Sequence, residues 1–172
     1  MTVAGVTTGV LVATAGWGVD ALWPDATVPL AVALGAVSLV YAGHELGFLR
    51  LPVPGRDWQV PASWVHGTFY RSAVIFGGTV GFGVFTRVPY ASFPIMLAWL
   101  FVSGNVVYGA LAGLVYGATR AFAIYSSANC KEPGDVADLN QRLIQLAPHV
   151  HQVTGVALGA FAAYLLVAPF LS

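Results

Sequence analysis

Five apolar runs, at residues 3–23, 28–48, 69–88, 93–119 and 147–171, take up most of this chain and hold almost no charge. A helix needs roughly 20 mainly apolar residues to cross the hydrocarbon of a bilayer. In lipid every backbone N–H and C=O must find a partner, which leaves helices and closed barrels as the only spanning structures. None of the runs alternates apolar and polar residues as a barrel strand would, so each reads as a helix. The expected fold is therefore all-α: a polytopic membrane helical bundle of about five transmembrane helices, in one integral membrane domain over residues 1–172. Composition agrees, because 8% charged residues and a mean hydropathy of +0.77 fall far from the roughly 25% charge of a soluble domain.

Turn-forming residues punctuate the runs. Asp20, Pro24 and Asp25 close the first, and Pro29 suits the opening turn of the second. Pro52, Pro54, Gly55 and Pro61 keep the following loop extended. Pro89 and Pro94 bracket a short turn between the third and fourth runs. Loops 49–68 and 120–146 are expected on the cytoplasmic side, since Arg50, Arg56, Arg71, Arg120, Lys131 and Arg142 fall on that side and only Arg87 on the other. That asymmetry places the N-terminus inside and the C-terminus outside, as in a multi-pass protein of a bacterial or archaeal cell membrane. Residues 1–5 carry no Lys or Arg, so the first run reads as a span and not as a signal peptide. Trp17, Trp23, Trp58, Trp64 and Tyr90 sit near run ends, where aromatic rings anchor spans.

Small residues repeat at helical spacing. Gly109, Gly113 and Gly117 form a stripe in the fourth run; Gly77 and Gly81, Gly155 and Gly159, and Gly5 and Gly9 do the same in the third, fifth and first. Helix association in lipid depends on close backbone approach, so these positions are expected to be helix-packing sites, within one copy or in a homo-oligomer. Asn105, placed by hydropathy in the middle of the fourth run, is expected to pair with another helix, because an unpaired amide in hydrocarbon costs several kcal/mol.

Chemistry is sparse. A net charge of zero gives no case for nucleic acid, and the lone Cys130 rules out an intramolecular disulfide or CxxC pair. No nucleotide-binding, hydrolase or metalloprotease motif stands in a context that could use it, so no catalytic residues, no metal and no cofactor are expected. His44, His66, His149 and His151 share the predicted cytoplasmic side. Two of them on facing helices would suit haem, so His44 with His149 or His151 is kept as an alternative, a haem- or quinone-binding electron carrier. Glu45 and Arg87 fall at run ends, where long side chains reach water cheaply. Residues 135–146 form an amphipathic helix with Val136, Leu139, Leu143 and Leu146 on one face, a membrane-surface or partner-docking element that Pro148 is expected to separate from the last span.

One stretch resembles a known family. Gly81-Phe82-Gly83-Val84-Phe85-Thr86-Arg87-Val88-Pro89-Tyr90, followed by Phe93-Pro94-Ile95, is similar to the second cysteine-bearing helix of the CcdA/DsbD transmembrane electron carriers of cytochrome c biogenesis, with their LysE-like fold. Residues 111–122, 143–167 and 39–53 resemble further helices of that family. The resemblance implies a six-span pattern from which the first span is missing. It also implies two redox cysteines, both absent here, with Tyr90 near the place of the second. Thiol exchange needs a thiolate and a partner sulfur, so the resemblance implies a redox-inactive relative. Such a protein would act as a small-solute transporter component, with Thr86, Pro89, Tyr90, Pro94 and Asn105 at a hinge or solute path, or as a membrane partner of another protein.

Overall fold

The computed structural model describes residues 1–52, 68–81, 90–127 and 133–170. Every regular element among them is helical: α1 (Thr2–Leu22), α2 (Thr27–Glu45), α3 (Phe69–Gly81), α4 (Ser92–Ser103), α5 (Val106–Ser127) and α6 (Pro133–Val167). A 3₁₀ turn at Pro24–Ala26 joins α1 to α2, and another at Ala168–Phe170 ends α6. Among the described residues three stretches, Thr2–Leu22, Pro24–Glu45 and Ala137–Phe170, are long and apolar enough to cross a membrane.

Two interfaces organise the bundle. Along α1 the buried positions are Gly5, Gly9, Ala13 and Gly16, a stripe one small side chain wide. α5 lies antiparallel on it, with Gly109 against Gly9, Gly113 against Gly5 and Gly117 against Thr2. A Cβ on Gly109 would stand 2.8 Å from the Gly9 carbonyl carbon, and one on Gly113 2.6 Å from that of Gly5. The backbones touch, so the dispersion contacts that hold helices together in lipid come from main chain on both sides.

The second interface joins α2 to α6, also antiparallel. Gly35 meets Leu165 and Leu166 near one end, and Gly155 meets Leu46 and Glu45 near the other. Leu34, Ala42, Ala91, Ile95, Leu158 and Leu165 form the buried apolar cluster, with Trp99 and Phe161 packed against it. Ser38 is fully buried there, its hydroxyl donating to the Leu34 carbonyl at 2.7 Å, so no polar group is left unpaired by its burial.

The expected fourth span, 93–119, is two helices. Gly104 adopts φ +56 as the C-cap of α4, a conformation open to glycine at little cost. Asn105 follows it, and its Oδ1 accepts the N–H of Val107 at 3.0 Å and of Tyr108 at 3.2 Å. Its amide thus serves as an N-cap for α5, exposed at a turn and not buried mid-span. The chain reverses at this point: Phe93 stacks on Tyr116 and Trp99 on Tyr108, the pairing of an antiparallel hairpin.

Of the expected third crossing, 69–88, residues 82–88 lie outside the described residues, and 69–81 form α3. Ala91, just before α4, is hydrogen-bonded to Glu45 at the end of α2, so these two residues lie at one end of the bundle. Gly77 of α3 lies beside Met1, at that same end. Finally, α6 runs without interruption from Pro133 to Val167 through Pro148. Proline removes one backbone hydrogen bond and crowds the preceding turn; here the helix carries it, and the expected separation at Pro148 does not occur. The helices α1, α2, α4, α5 and α6 alternate in direction, which puts Met1 and the end of α6 at opposite ends of the bundle.

Candidate functional site

Where the C-terminal end of α2 meets the start of α4 and the middle of α6, the bundle buries a carboxylate. Glu45 is 5% exposed, and its side chain is fully covered. Stripping water from an ionised carboxylate is expensive unless its oxygens are paired, and both are. Oε1 accepts the backbone N–H of Ala91 at 2.9 Å. Ala91 is the N-cap of α4 and has no capping side chain of its own, so Glu45 brings an acceptor and a negative charge to a helix end where the dipole is positive. Oε2 lies 2.5 Å from Nδ1 of His151. The His151 ring, 39% exposed at its side chain, packs at 4.9 Å between centroids against Tyr90.

This junction depends on small neighbours. A Cβ on Gly155, one turn past His151, would stand 2.7 Å from Leu46 Cγ and 3.2 Å from Glu45 Cβ. Glycine there lets α2 and α6 approach until the carboxylate and imidazole meet.

Beside the pair a groove of about 360 Å³ opens between α4 and α6. Ser92, which follows Ala91, and Thr154, three residues past His151, line it, and Met96, Trp99, Ala157 and Phe161 carry its apolar walls further along. Trp99 and Phe161 meet edge to face at 6.1 Å.

The residues singled out from the sequence are distributed unevenly around this site. Tyr90 and His151 belong to it. Pro94 lies in the first turn of α4, half-buried, while Asn105 lies at the opposite end of that helix. His44 shares the α2 end, but its Nδ1 accepts the N–H of Leu51 at 3.0 Å, and His149 is exposed. Thr86, Arg87, Pro89, Trp58, Trp64, His66, Cys130 and Lys131 lie outside the described residues. Among the described residues no group of three or more His, Cys, Asp or Glu side chains is placed to hold a metal ion. Gly159 faces Ala42 at ordinary contact distance, and Gly81 ends α3.

Sequence reasoning passed over Glu45 because it falls near a run end. The available signal was that it is the only charged residue in 28–48, and an ionisable group within a span marks a functional candidate. Its partners, 46 and 106 residues away, could not be named without the fold.

No family model matches the chain, and no solved structure does. The methylamine utilization protein MauF of Methylorubrum extorquens is 32% identical over 92 residues, covering 51% of this chain and 31% of MauF. The matched stretch thus spans under a third of that relative's length.

Proposed function

We propose that this is a multi-pass cell-membrane protein of the CcdA/DsbD-like type, without thiol redox chemistry, that works as the membrane partner of another protein. In this reading α1, α2 and α6 pass through the bilayer with the N-terminus inside, as the basic residues suggest, and the hairpin of α4 and α5 packs against α1. The observation that carries the partner role is the N-terminal half of α6. At about 1.5 Å per residue its 35 residues reach about 52 Å, well beyond a hydrocarbon core of about 30 Å. The excess is an arm over 135–149 that bears Asp135, Asp138, Asn140, Gln141, Arg142 and Gln145. On it Leu139, Leu143, Leu146 and Val150 follow each other by four, three and four residues, the seam of a helix that packs on another helix. Leu143, Leu146 and Val150 are exposed. Because α6 is continuous through Pro148, the arm extends from the bundle as part of a helix, which favours partner docking over a separate surface helix.

Photo-crosslinking residues placed at Leu139, Leu143 and Leu146, in native membranes, test this. One adduct of discrete mass from those positions, with none from Asp138, Gln141 or Gln145 on the opposite face, is expected. The chain remaining uncrosslinked at every position overturns the partner role; an adduct of twice the chain mass makes the partner a second copy.

A second reading, a small-solute transporter component, is favoured by the Glu45–His151 pair beside the groove. MauF is by its name a protein of methylamine utilization, so methylamine is the first solute to try. Uptake into proteoliposomes no faster than into empty liposomes counts against this version.

A further inference from the structure

We propose that Glu45 is a relay between helices: through it a displacement of α6 is passed to the start of α4, and so to the α4–α5 hairpin, with His151 as the positioning residue. The coupling belongs to the bundle and stands whether or not the α6 arm docks a partner.

The start of α4 depends on another helix. Its N-cap, Ala91, is fully buried and offers no side-chain acceptor. In a capping box a Glu or Gln three residues on reaches back to the N-cap N–H. That position here is Pro94, which has no such group. The bond is made instead from α2, by Glu45 Oε1 at 2.9 Å. The Ala91 carbonyl in turn accepts the N–H of Ile95 at 3.3 Å, the first rung of α4. Release of Ala91 by Glu45 therefore frays α4 from its first turn.

Glu45 does not hold that place alone. Its side chain is fully covered, and a buried carboxylate that loses a partner draws in water or turns toward it, because an uncompensated buried charge is costly. The second partner is His151 Nδ1, 2.5 Å from Oε2. A proton between those two atoms makes the bond whichever of them carries it, so the link does not depend on the charge of the imidazole.

The packing leaves the link little slack. A Cβ on Gly155 would stand 2.7 Å from Leu46 Cγ and 3.2 Å from Glu45 Cβ, so α6 already lies as close to α2 as glycine allows. Between α4 and α6 themselves packing is interrupted by the groove, which runs from Ser92 to Trp99 on one side and from Val153 to Phe161 on the other. Tyr90 lays its ring against His151, with centroids 4.9 Å apart, a second contact that the test must separate from the first. Residues 133–150 precede His151 on the same unbroken helix, about 27 Å of lever. A load on that lever acts on the bundle close to the point where α6 meets α2.

The test is amide exchange of the full chain in nanodiscs, followed residue by residue by NMR. His151→Ala is expected to speed exchange of the Ala91 and Ile95 amides about tenfold, with Gly109 and Gly113 at the α1–α5 contact unchanged. His151→Asn, whose amide nitrogen stands as many bonds from Cα as Nδ1 does, should restore the parent rates although it lacks the ring that Tyr90 packs on. Gly155→Val, which pushes α6 from α2 and removes no polar group, should also speed Ala91 and Ile95. Parent rates at Ala91 and Ile95 in either His151→Ala or Gly155→Val would overturn the relay. So would failure of His151→Asn to restore them, which would give the coupling to the Tyr90 ring. Equal acceleration at Gly109 and Gly113 would do the same, since it would mean a general loosening of the bundle.

Discussion

The two helix interfaces of this bundle use opposite means to the same end. α1 and α5 meet mainly through glycine, main chain against main chain, with Thr2, Val6 and Ala13 completing the contact. α2 and α6 meet through side chains of graded size, and their far end closes on a buried carboxylate that also ties down α4. In lipid the first kind gains from the number of atoms in contact and tolerates no added volume. The second carries a group whose desolvation must be matched by hydrogen bonds, so it tolerates volume better than loss of a partner. One interface is specified by what is absent from its side chains, the other by what is present.

The largest effect should come from adding volume to the glycine contact. Gly9→Leu or Gly109→Leu places a side chain where even a Cβ has no room, and loss of monodisperse protein in size-exclusion chromatography is expected. Gly18→Leu, on the same helix with nothing within 4 Å of its Cβ, should behave as the parent. If both variants elute alike, the contrast fails.

Next comes the polar junction. Glu45→Ala strands the Ala91 N–H and the His151 ring, with a cost on the order of 3–5 kcal/mol for breaking a buried pair. Equilibrium unfolding in mixed micelles would read it. Glu45→Gln keeps an acceptor for Ala91 and should lose less; equal losses would mean that the charge, and not the hydrogen bond to α4, dominates.

A smaller change tests the hairpin. Asn105→Ala removes the acceptor for Val107 and Tyr108, worth about 1 kcal/mol as a lost N-cap, by the same unfolding measurement. Smallest of all, Pro148→Ala restores one backbone hydrogen bond in α6. It should slow amide exchange over 144–152 while leaving both interfaces unchanged in unfolding.

The glycine contact could be anticipated from the sequence because its signal is local: Gly109, Gly113 and Gly117 advertise a small-residue face whatever lies opposite. The break at Gly104–Asn105 could not be seen by hydropathy, since a window long enough to find a span averages over a two-residue turn. Gly followed by Asn is a turn signal in its own right, but the apolar run around it outweighs it. Pro148 erred in the other direction, a breaker that this helix accommodates. The Glu45–His151 contact was hidden for a different reason. It joins residues 106 apart, and only the antiparallel packing of α2 on α6, set by Gly35 and Gly155, brings them together.

The tight turn at Gly104 has a consequence for the lipid above it. A Cβ on Gly104 would stand 3.0 Å from the Trp17 Cα, so the hairpin tops out level with Trp17, while α1 continues to Leu22. Five further residues at about 1.5 Å each leave the apex about 8 Å lower than the neighbouring helix end. In a leaflet matched to α1, headgroups and water follow that step down toward the exposed Ser103 and Asn105. The protein would thus carry a dimple in its outer profile, a spot where the oily layer is thinnest.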